Sequence, residues 1–163
     1  MVVAIISDTH DNLPHTEKAI KIACEKGCEI LFHCGDLISP FMIPLLASFQ
    51  KDVHFIVGNN RGDIALMCEH LKKYPWVRFH GEHAFLEVGG FKIAMVHYPK
   101  MAYSLAKSQD FDYVFCGHTH KFEVQEIGKT LLINPGEILG KEGPPTMVIL
   151  GLITRSWEKI ELG

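Results

Sequence analysis

Seven side chains able to bind metal ions follow short apolar runs along the chain. They are two carboxylates, one carboxamide and four imidazoles, with no thiolate among them: Asp8, His10, Asp36, Asn59, His97, His118 and His120. Oxygen and nitrogen donors in this proportion suit two borderline or hard divalent cations such as manganese, iron, nickel or zinc. The residue types therefore predict a centre that holds two metal ions.

The spacing of these residues favours a shared cavity. Asp8 and His10 are two residues apart, as are His118 and His120, so both members of each pair can face one side of an extended or turn backbone. A glycine directly precedes three of the ligands and lets the backbone turn sharply there: Gly35, Gly58 and Gly117. Asp36 is the natural candidate for a carboxylate that bridges two ions.

A two-metal centre of this composition fits hydrolysis of a phosphodiester. Two divalent cations, two aspartates and one bridging hydroxide leave a net charge of about +1, complementary to a monoanionic diester. Two metal ions ~3.5–4 Å apart can generate that hydroxide at neutral pH and clamp the attacking and leaving oxygens. The sequence thus indicates attack of a metal-bridging hydroxide on a small phosphodiester.

The elements that must position these residues alternate in the first half of the chain. The apolar runs are short and β-rich, which is typical of buried strands. Helical periodicity appears over residues 15–26, 40–49 and 63–73, and a shorter helix is expected over 101–108. This alternation favours parallel βαβ units, in which the carboxyl ends of the strands meet at one crevice. The ligands that follow the strands should therefore be neighbours.

After residue 75 the pattern becomes a succession of strands. Gly89-Gly90 and Gly128-Lys129 are predicted hairpin turns, and residues 147–153 and 156–162 are expected to be the last two strands. With 163 residues, the chain is close to the commonest domain size. We therefore predict an α/β fold in one domain over residues 1–163, with two mixed sheets packed together and helices on the outer faces.

The order of the motifs is more specific than any one of them. Asp8-x-His10, Gly35-Asp36, Gly58-Asn59, His97 and Gly117-His118-x-His120 together resemble the calcineurin-like metallophosphoesterase superfamily. The chain length and the Asn134-Pro135-Gly136 segment are similar to its small single-domain branch of archaeal and bacterial phosphodiesterases, which also contains the retromer sorting subunit of eukaryotes. This resemblance implies a four-layer α/β/β/α sandwich of two mixed β-sheets flanked by helices.

The resemblance also implies how the ligands divide between two ions. Asp36 would bridge the ions, of which manganese is expected first, with nickel, iron or zinc as alternatives. The first ion would be held by Asp8, His10 and His120, and the second by Asn59, His97 and His118.

The chain departs from the superfamily pattern beside three of its motifs. A histidine usually follows the metal-binding asparagine, where it protonates the leaving group or binds phosphate, but here Asn60 and Arg61 follow. Loss of a general acid costs roughly 10²–10⁴-fold in rate, so we expect Asn60 or Arg61 to contact phosphate and good leaving groups to be favoured. Many relatives carry His-Gly-His where this chain has His97-Tyr98-Pro99, so a second imidazole is missing and a bulky ring is present. Glu137 stands where serine is frequent, and its charge could weaken anion binding.

Other polar residues are assigned supporting or structural roles. His33 either orients Asp36 or is an ordinary structural histidine, and Asn134 is expected to shape the pocket from outside the ligand set. The five cysteines are interpreted as reduced core residues. Five further histidines are expected to be ordinary surface or strand residues: His15, His54, His70, His80 and His83.

Charge and hydropathy exclude several classes of partner. The formal net charge is −3 and no run of Lys or Arg exceeds two residues, so a long nucleic acid is not expected to bind. No apolar run approaches the ~20 residues that span a bilayer, and the first residues do not form a signal peptide. We therefore expect a cytoplasmic protein with no membrane partner. Pairing into a homo-oligomer is left open.

Two other functions compete with the phosphodiesterase. A non-catalytic scaffold of the same fold would use its surface to bind partner proteins, whereas a monoesterase would act on nucleotides or phosphoproteins. Every one of the seven ligand positions retains a competent ligand, which favours an enzyme over a scaffold. A paired assay of diester and monoester hydrolysis would separate the two enzymes.

Overall fold

The computed structural model describes residues 1–163, with eleven strands and four helices. The helices are α1 (Leu13–Glu25), α2 (Met42–Ala47), α3 (Ile64–Leu71) and α4 (Pro99–Ser108). The strands are β1 (Val2–Ile6), β2 (Ile30–His33), β3 (Asp52–Phe55), β4 (Val77–Phe79), β5 (His83–Val88), β6 (Phe91–Val96), β7 (Tyr113–Phe115), β8 (Phe122–Ile127), β9 (Thr130–Pro135), β10 (Thr146–Gly151) and β11 (Trp157–Glu161).

The strands form two mixed sheets. The first sheet has the order β11-β10-β1-β2-β3-β4, and the second has the order β5-β6-β7-β9-β8. In the first sheet β1 to β4 are parallel, since a helix connects each strand to the next, whereas β10 and β11 run antiparallel. In the second sheet β6, β7 and β9 are parallel, and β5 and β8 are antiparallel edge strands. Both predicted hairpin turns are present, and the last two strands, β10 and β11, also pair as an antiparallel hairpin.

Alternation of side chains along the strands produces four layers. On β1, Ala4 and Ile6 pack with α1, α2 and α3, while Val3 and Ile5 point to the opposite side and pack against the second sheet. The outer face of the second sheet is covered by α4, through the buried Ala102 and Ala106. The predicted α/β/β/α sandwich of two mixed sheets flanked by helices is therefore confirmed.

Two helices begin earlier than their periodicity predicted, because capping and proline chemistry start them. The side chain of Asn12 accepts a hydrogen bond from the His15 amide at 3.1 Å, so α1 begins at Leu13, with Pro14 in its first turn. Helix α4 begins at Pro99, whose fixed φ suits the first helical position, although the preceding Tyr98 gives no side-chain cap. None of the four helices has both the length and the apolar character needed to cross a membrane.

A buried tyrosine ties the two sheets together. Tyr113 on β7 is fully buried, and its hydroxyl donates a hydrogen bond of 2.6 Å to the carbonyl oxygen of Leu152, just after β10. The ring also packs among the apolar residues between the sheets. The hydroxyl thus supplies a hydrogen-bond donor to a carbonyl that folding removes from water.

Replacing Tyr113→Phe should lower the free energy of unfolding by about 1–2 kcal/mol, because the Leu152 carbonyl would lose its tyrosine donor. Urea denaturation followed by circular dichroism measures the change. Tyr103→Phe removes a hydroxyl from an exposed ring and is the matched control, for which we expect no measurable change. Equal stability of all three proteins would contradict the role assigned to the Tyr113 hydroxyl.

A histidine pair lies at the β3 end of the interface between the sheets. His54 is 5% exposed, its ring stacks on Phe32, and its Nδ1 lies 2.8 Å from Nε2 of His80. The two imidazoles are stacked with their centroids 5.1 Å apart. Burial, together with the neighbouring His80 and Arg78, lowers the pKa of His54 to about 4. His54 is therefore neutral in the folded chain at neutral pH.

This pair should make the fold sensitive to acid. The unfolded chain takes up a proton on His54 near pH 6.5, whereas the folded chain does so only near pH 4, so stability is full above pH 6.5 and falls between these values. His54→Phe should remove up to about 1.4 kcal/mol per pH unit of this slope. Urea titrations from pH 7.5 to 4.5 measure it, with the exposed His83→Phe as the control. An unchanged slope in His54→Phe would refute this account.

Candidate metal centre

The seven predicted ligands converge at the carboxyl ends of strands from both sheets. Each lies in the loop that directly follows a strand, so the two sheets contribute from opposite sides of one cleft. The first sheet supplies Asp8 and His10 after β1, Asp36 after β2 and Asn59 after β3, and the second supplies His97 after β6 and both His118 and His120 after β7. The crevice expected from the strand pattern is therefore present.

The backbone at five of these positions is left-handed. The φ values are 51° at Asp8, 40° at His10, 59° at Asp36, 73° at His118 and 61° at His120. Non-glycine residues rarely adopt such values, and they do so mainly where the surrounding structure imposes them at functional sites. Of the nine non-glycine residues with positive φ in the chain, five are predicted ligands, so the unusual backbone is concentrated at the cleft.

One cluster of donors is formed by Asp8, His10 and His120. Oδ1 of Asp8 lies 4.0 Å from Nε2 of His10 and 3.4 Å from Nε2 of His120. The three donor atoms lie within 4.8 Å of one another. This is the set that the family resemblance assigned to the first ion.

A second cluster is formed by Asp8, Asp36 and His97, again within 4.8 Å. Oδ1 of Asp36 lies 3.5 Å from Nε2 of His97, while Oδ2 lies 3.3 Å from Nε2 of His10. The Asp36 carboxylate therefore faces both clusters at once, as a bridging ligand must.

Asn59 and His118 join the second cluster from its outer side. Oδ1 of Asn59 lies 2.9 Å from Nε2 of His97 and 2.9 Å from Nδ1 of His118. The backbone amide of His118 donates to both carboxylate oxygens of Asp8, at 3.2 and 3.0 Å. All seven predicted ligands are thus linked in one continuous group.

The residues present fit divalent cations. Nε2 of His10 is buried and has no hydrogen-bond partner. Burial also raises the pKa of Asp8, an effect that the Ser7 hydroxyl and nearby imidazoles only partly offset. A buried imidazole nitrogen without a partner and a buried carboxylate are both costly in the absence of a cation. A cation between them would satisfy both groups, and the donor set contains only the oxygen and nitrogen atoms that such ions prefer.

Hydrogen bonds outside the cluster orient two of the imidazoles. Nδ1 of His97 lies 2.8 Å from the carbonyl oxygen of Cys34, which can only accept, so Nδ1 carries a proton and Nε2 is the nitrogen that faces the cleft. Nδ1 of His120 lies 2.7 Å from the Glu137 carboxylate, with the same consequence. Partners of this kind fix the tautomer and orientation of metal-binding histidines.

Glu137 has a role that the sequence interpretation did not foresee, since it was named there only as a charge that could weaken anion binding. It is 1% exposed and is held by backbone amides of Glu142 and Gly143 as well as by His120. Burial alone raises its pKa, but the hydrogen bonds outweigh burial and keep the pKa below its ordinary value. The carboxylate therefore supports His120. The only sequence signal was an acidic residue directly after Asn134-Pro135-Gly136, and nothing in the sequence pointed to a partner 17 positions earlier.

Asn60 and Arg61 both lie beside the cleft. Asn60 donates twice to the Asp36 carboxylate, from its backbone amide at 2.9 Å and from Nδ2 at 2.7 Å. Nε of Arg61 donates to the Gly58 carbonyl at 3.0 Å, and its Nη1 lies 2.7 Å from the Glu82 carboxylate. A contact of either residue with phosphate stays a prediction.

His33 and Asn134 lie outside the ligand set. His33 accepts from the Gly35 amide and donates to the Thr9 hydroxyl, which in turn donates to the Asp36 carbonyl. Burial lowers the pKa of His33 to about 3, so this ring stays neutral. Nδ2 of Asn134 donates to the Gly117 carbonyl at 2.9 Å and to the Thr119 hydroxyl at 3.0 Å. Asn134 thereby braces the loop that carries His118 and His120.

Comparison with known proteins gives consistent matches. Residues 1–155 match the calcineurin-like phosphoesterase superfamily domain. A phosphodiesterase of Methanocaldococcus jannaschii is 33% identical over 165 residues, covering 99% of both chains. A solved archaeal phosphodiesterase superposes with a TM-score of 0.92 at 32% identity, over 99% of this chain and 100% of the other. Vacuolar protein sorting 29 from Cryptosporidium parvum has a TM-score of 0.69 at 19% identity, over 98% and 85% of the two chains, and so shares the fold.

Substituting Glu137→Gln should weaken metal binding about 10- to 100-fold while leaving the fold intact, because the amide no longer supplies the charge that holds Nδ1–H of His120. Competition with a chromogenic chelator measures the affinity for Mn²⁺ and Zn²⁺. Glu126→Gln, on the exposed side of β8, is the matched control and should bind like the wild type. An unchanged affinity in Glu137→Gln would show that this carboxylate does not support the site.

Proposed function

The chain belongs to the calcineurin-like phosphoesterase superfamily, and on that premise we propose that it is a metal-dependent phosphodiesterase acting on small phosphodiesters. The family predicted from the motif order is confirmed. The observation that carries the proposal is the convergence of seven oxygen and nitrogen donors around the Asp36 carboxylate. The full-length relative of Methanocaldococcus jannaschii, itself named a phosphodiesterase, supports it.

Two divalent ions are the proposed cofactor. The two donor clusters, which both include Asp8 and both adjoin Asp36, support this number. When bound, such ions supply Lewis-acid stabilisation of phosphate charge and lower the pKa of coordinated water. Manganese is the ion proposed first, with nickel, iron or zinc as alternatives, since all four accept imidazole and carboxylate ligands.

The chain's own residues preorganise this centre. Asn60 fixes the Asp36 carboxylate through two donors, and the Cys34 carbonyl and the Glu137 carboxylate fix the imidazoles of His97 and His120. Groups held in place before the substrate arrives need no reorganisation during the reaction, which is a major source of rate enhancement.

The substrate is proposed to be a small diester with a good leaving group. No imidazole follows Asn59, so protonation of the leaving oxygen has no dedicated acid at that position. A leaving group of low pKa, such as an aryl alcohol, does not need one. Neither a long nucleic acid nor a membrane is proposed as a partner. A homo-oligomer and a cytoplasmic location remain predictions.

The two competing functions differ from this proposal in what they require of the cleft. A scaffold that binds partner proteins has no need for seven metal-binding donors in one group, so their convergence favours the enzyme. A monoesterase must accept a dianion. Two ions, two aspartates and a hydroxide sum to about +1, and the buried Glu137 carboxylate behind His120 lowers this charge further, so a monoanion is the better match.

The test is hydrolysis of bis-(p-nitrophenyl) phosphate and p-nitrophenyl phosphate by protein stripped with a chelator and reloaded with Mn²⁺, Ni²⁺, Zn²⁺ or Mg²⁺ singly. We expect at least one metal to restore cleavage, and the diester to be favoured in kcat/KM. Preference for the monoester would replace the diesterase with a monoesterase. No turnover with any metal, despite binding of two ions per chain, would favour the scaffold.

A ligand substitution ties this activity to the cleft. Asp36→Asn removes the bridging charge at nearly constant volume and should lower kcat/KM for the diester more than about 100-fold. Asp110→Asn changes the same group at an exposed position after α4 and should retain wild-type activity. Wild-type activity in Asp36→Asn would place the activity elsewhere.

A further inference from the structure

A small pocket opens beside the metal centre. It has a volume of about 100 Å³ and shares Gly58 and His97 with the cleft. Tyr98 and Met101 line it together with the charged Arg61 and Glu82. The proposed mechanism uses neither Tyr98 nor Met101, so the pocket is available for a part of the substrate that does not react.

Tyr98 contributes an aromatic ring to the lining of this pocket. Its ring meets the rings of His97 and His118 edge-on, with centroid distances of 5.3 and 4.9 Å, and these contacts hold its orientation. The side chain is nevertheless 44% exposed. Met101, one turn later on α4, is 50% exposed and lies on the same side of the helix. An aromatic face and a thioether side by side form an adaptable surface for a flat ring.

The charged residues that line the pocket offer both hydrogen-bond donors and acceptors. Arg61 has five N–H groups, of which one points to the Gly58 carbonyl and one to Glu82, so several remain for a ligand. The carboxylate of Glu82 can accept, and its side chain is 65% exposed. A plain hydrocarbon ring would leave these groups unused, whereas a nucleobase carries donors and acceptors around its edge.

We propose that this pocket binds the base of a nucleotide-type phosphodiester, stacked on Tyr98 beside Met101, with its polar edge toward Arg61 and Glu82. This inference rests on the proposed function and specifies its substrate class. Because the pocket adjoins the metal centre through His97, a base bound there belongs to the same small molecule as the phosphate in the cleft.

The first experiment compares binding of adenosine 5′-monophosphate and ribose 5-phosphate to the zinc-loaded full chain by calorimetry. The two ligands carry the same phosphate and sugar and differ in the base, so their ratio of Kd values isolates the pocket. We expect adenosine 5′-monophosphate to bind about tenfold more tightly, the effect of one aromatic stack. In protein labelled with ¹³C at the methionine methyl groups, it should also shift the Met101 resonance, which ribose 5-phosphate should leave in place.

Variants test the ring directly. Tyr98→Ala should reduce the tenfold ratio to about one, whereas Tyr98→Phe should keep it. Tyr103→Ala is the matched control, because Tyr103 lies on α4 five residues after Tyr98 and has the same 44% exposure but does not line the pocket. A perturbed metal centre in Tyr98→Ala would weaken both ligands equally and leave the ratio unchanged. Equal binding of the two ligands by the wild type, or a ratio that survives in Tyr98→Ala, would overturn the inference.

A substrate pair separates this inference from the proposed function. Thymidine 5′-p-nitrophenyl phosphate and methyl p-nitrophenyl phosphate share a leaving group, and we expect about tenfold higher kcat/KM for the nucleotide ester. Equal hydrolysis of both would overturn the base pocket and leave the phosphodiesterase standing. Failure to hydrolyse either, with the base-dependent binding and Met101 shift intact, would support the pocket and reject the phosphodiesterase.

Discussion

The Asp36 carboxylate, buried with Asp8 at the junction of the two sheets, is the group on which the rest of the site depends. It is 1% exposed and faces His10 and His97 while accepting two hydrogen bonds from Asn60. Two buried carboxylates repel each other and lose their hydration, a penalty that only cations or strong donors can offset. Three features offset this penalty: the imidazoles, the positive-φ turns that direct them into the cleft, and the hydrogen bonds around the ligand set.

The two-sheet architecture explains why these groups can meet. Parallel strands in each sheet end at the same edge, and packing the sheets face to face brings the two edges together. Ligands from β1, β2 and β3 therefore oppose ligands from β6 and β7 across one cleft. The glycine before Asn59 is needed for the same closeness, because a Cβ at Gly58 would overlap the Asp36 carboxylate and lie 2.7 Å from Nε2 of His97.

Much of the fold and all seven converging donors could be predicted from sequence, because each donor directly follows an apolar run that is a strand. The alternation of strands and helices also predicted the order of the layers, with the two sheets inside and the helices outside. Features that depend on contacts distant in sequence could not be predicted: the pairing of Glu137 with His120, of Glu82 with Arg61, and of His54 with His80. Helix starts were misplaced by up to two residues, since the cap at Asn12 and the proline at Pro99 outweigh apolar periodicity.

The span between the ligands gives the centre a second physical effect. The amide of His118 meets the carboxylate of Asp8 across 110 residues of chain, at the place where one sheet faces the other. An ion bound there by ligands from both sheets would act as a cross-link and would close a loop that comprises most of the polypeptide. Because an unfolded chain has no such preformed site, the free energy of metal binding adds to the free energy of folding. In this molecule the bound ions would then stabilise the packing of the two sheets as well as supply the chemistry of the site.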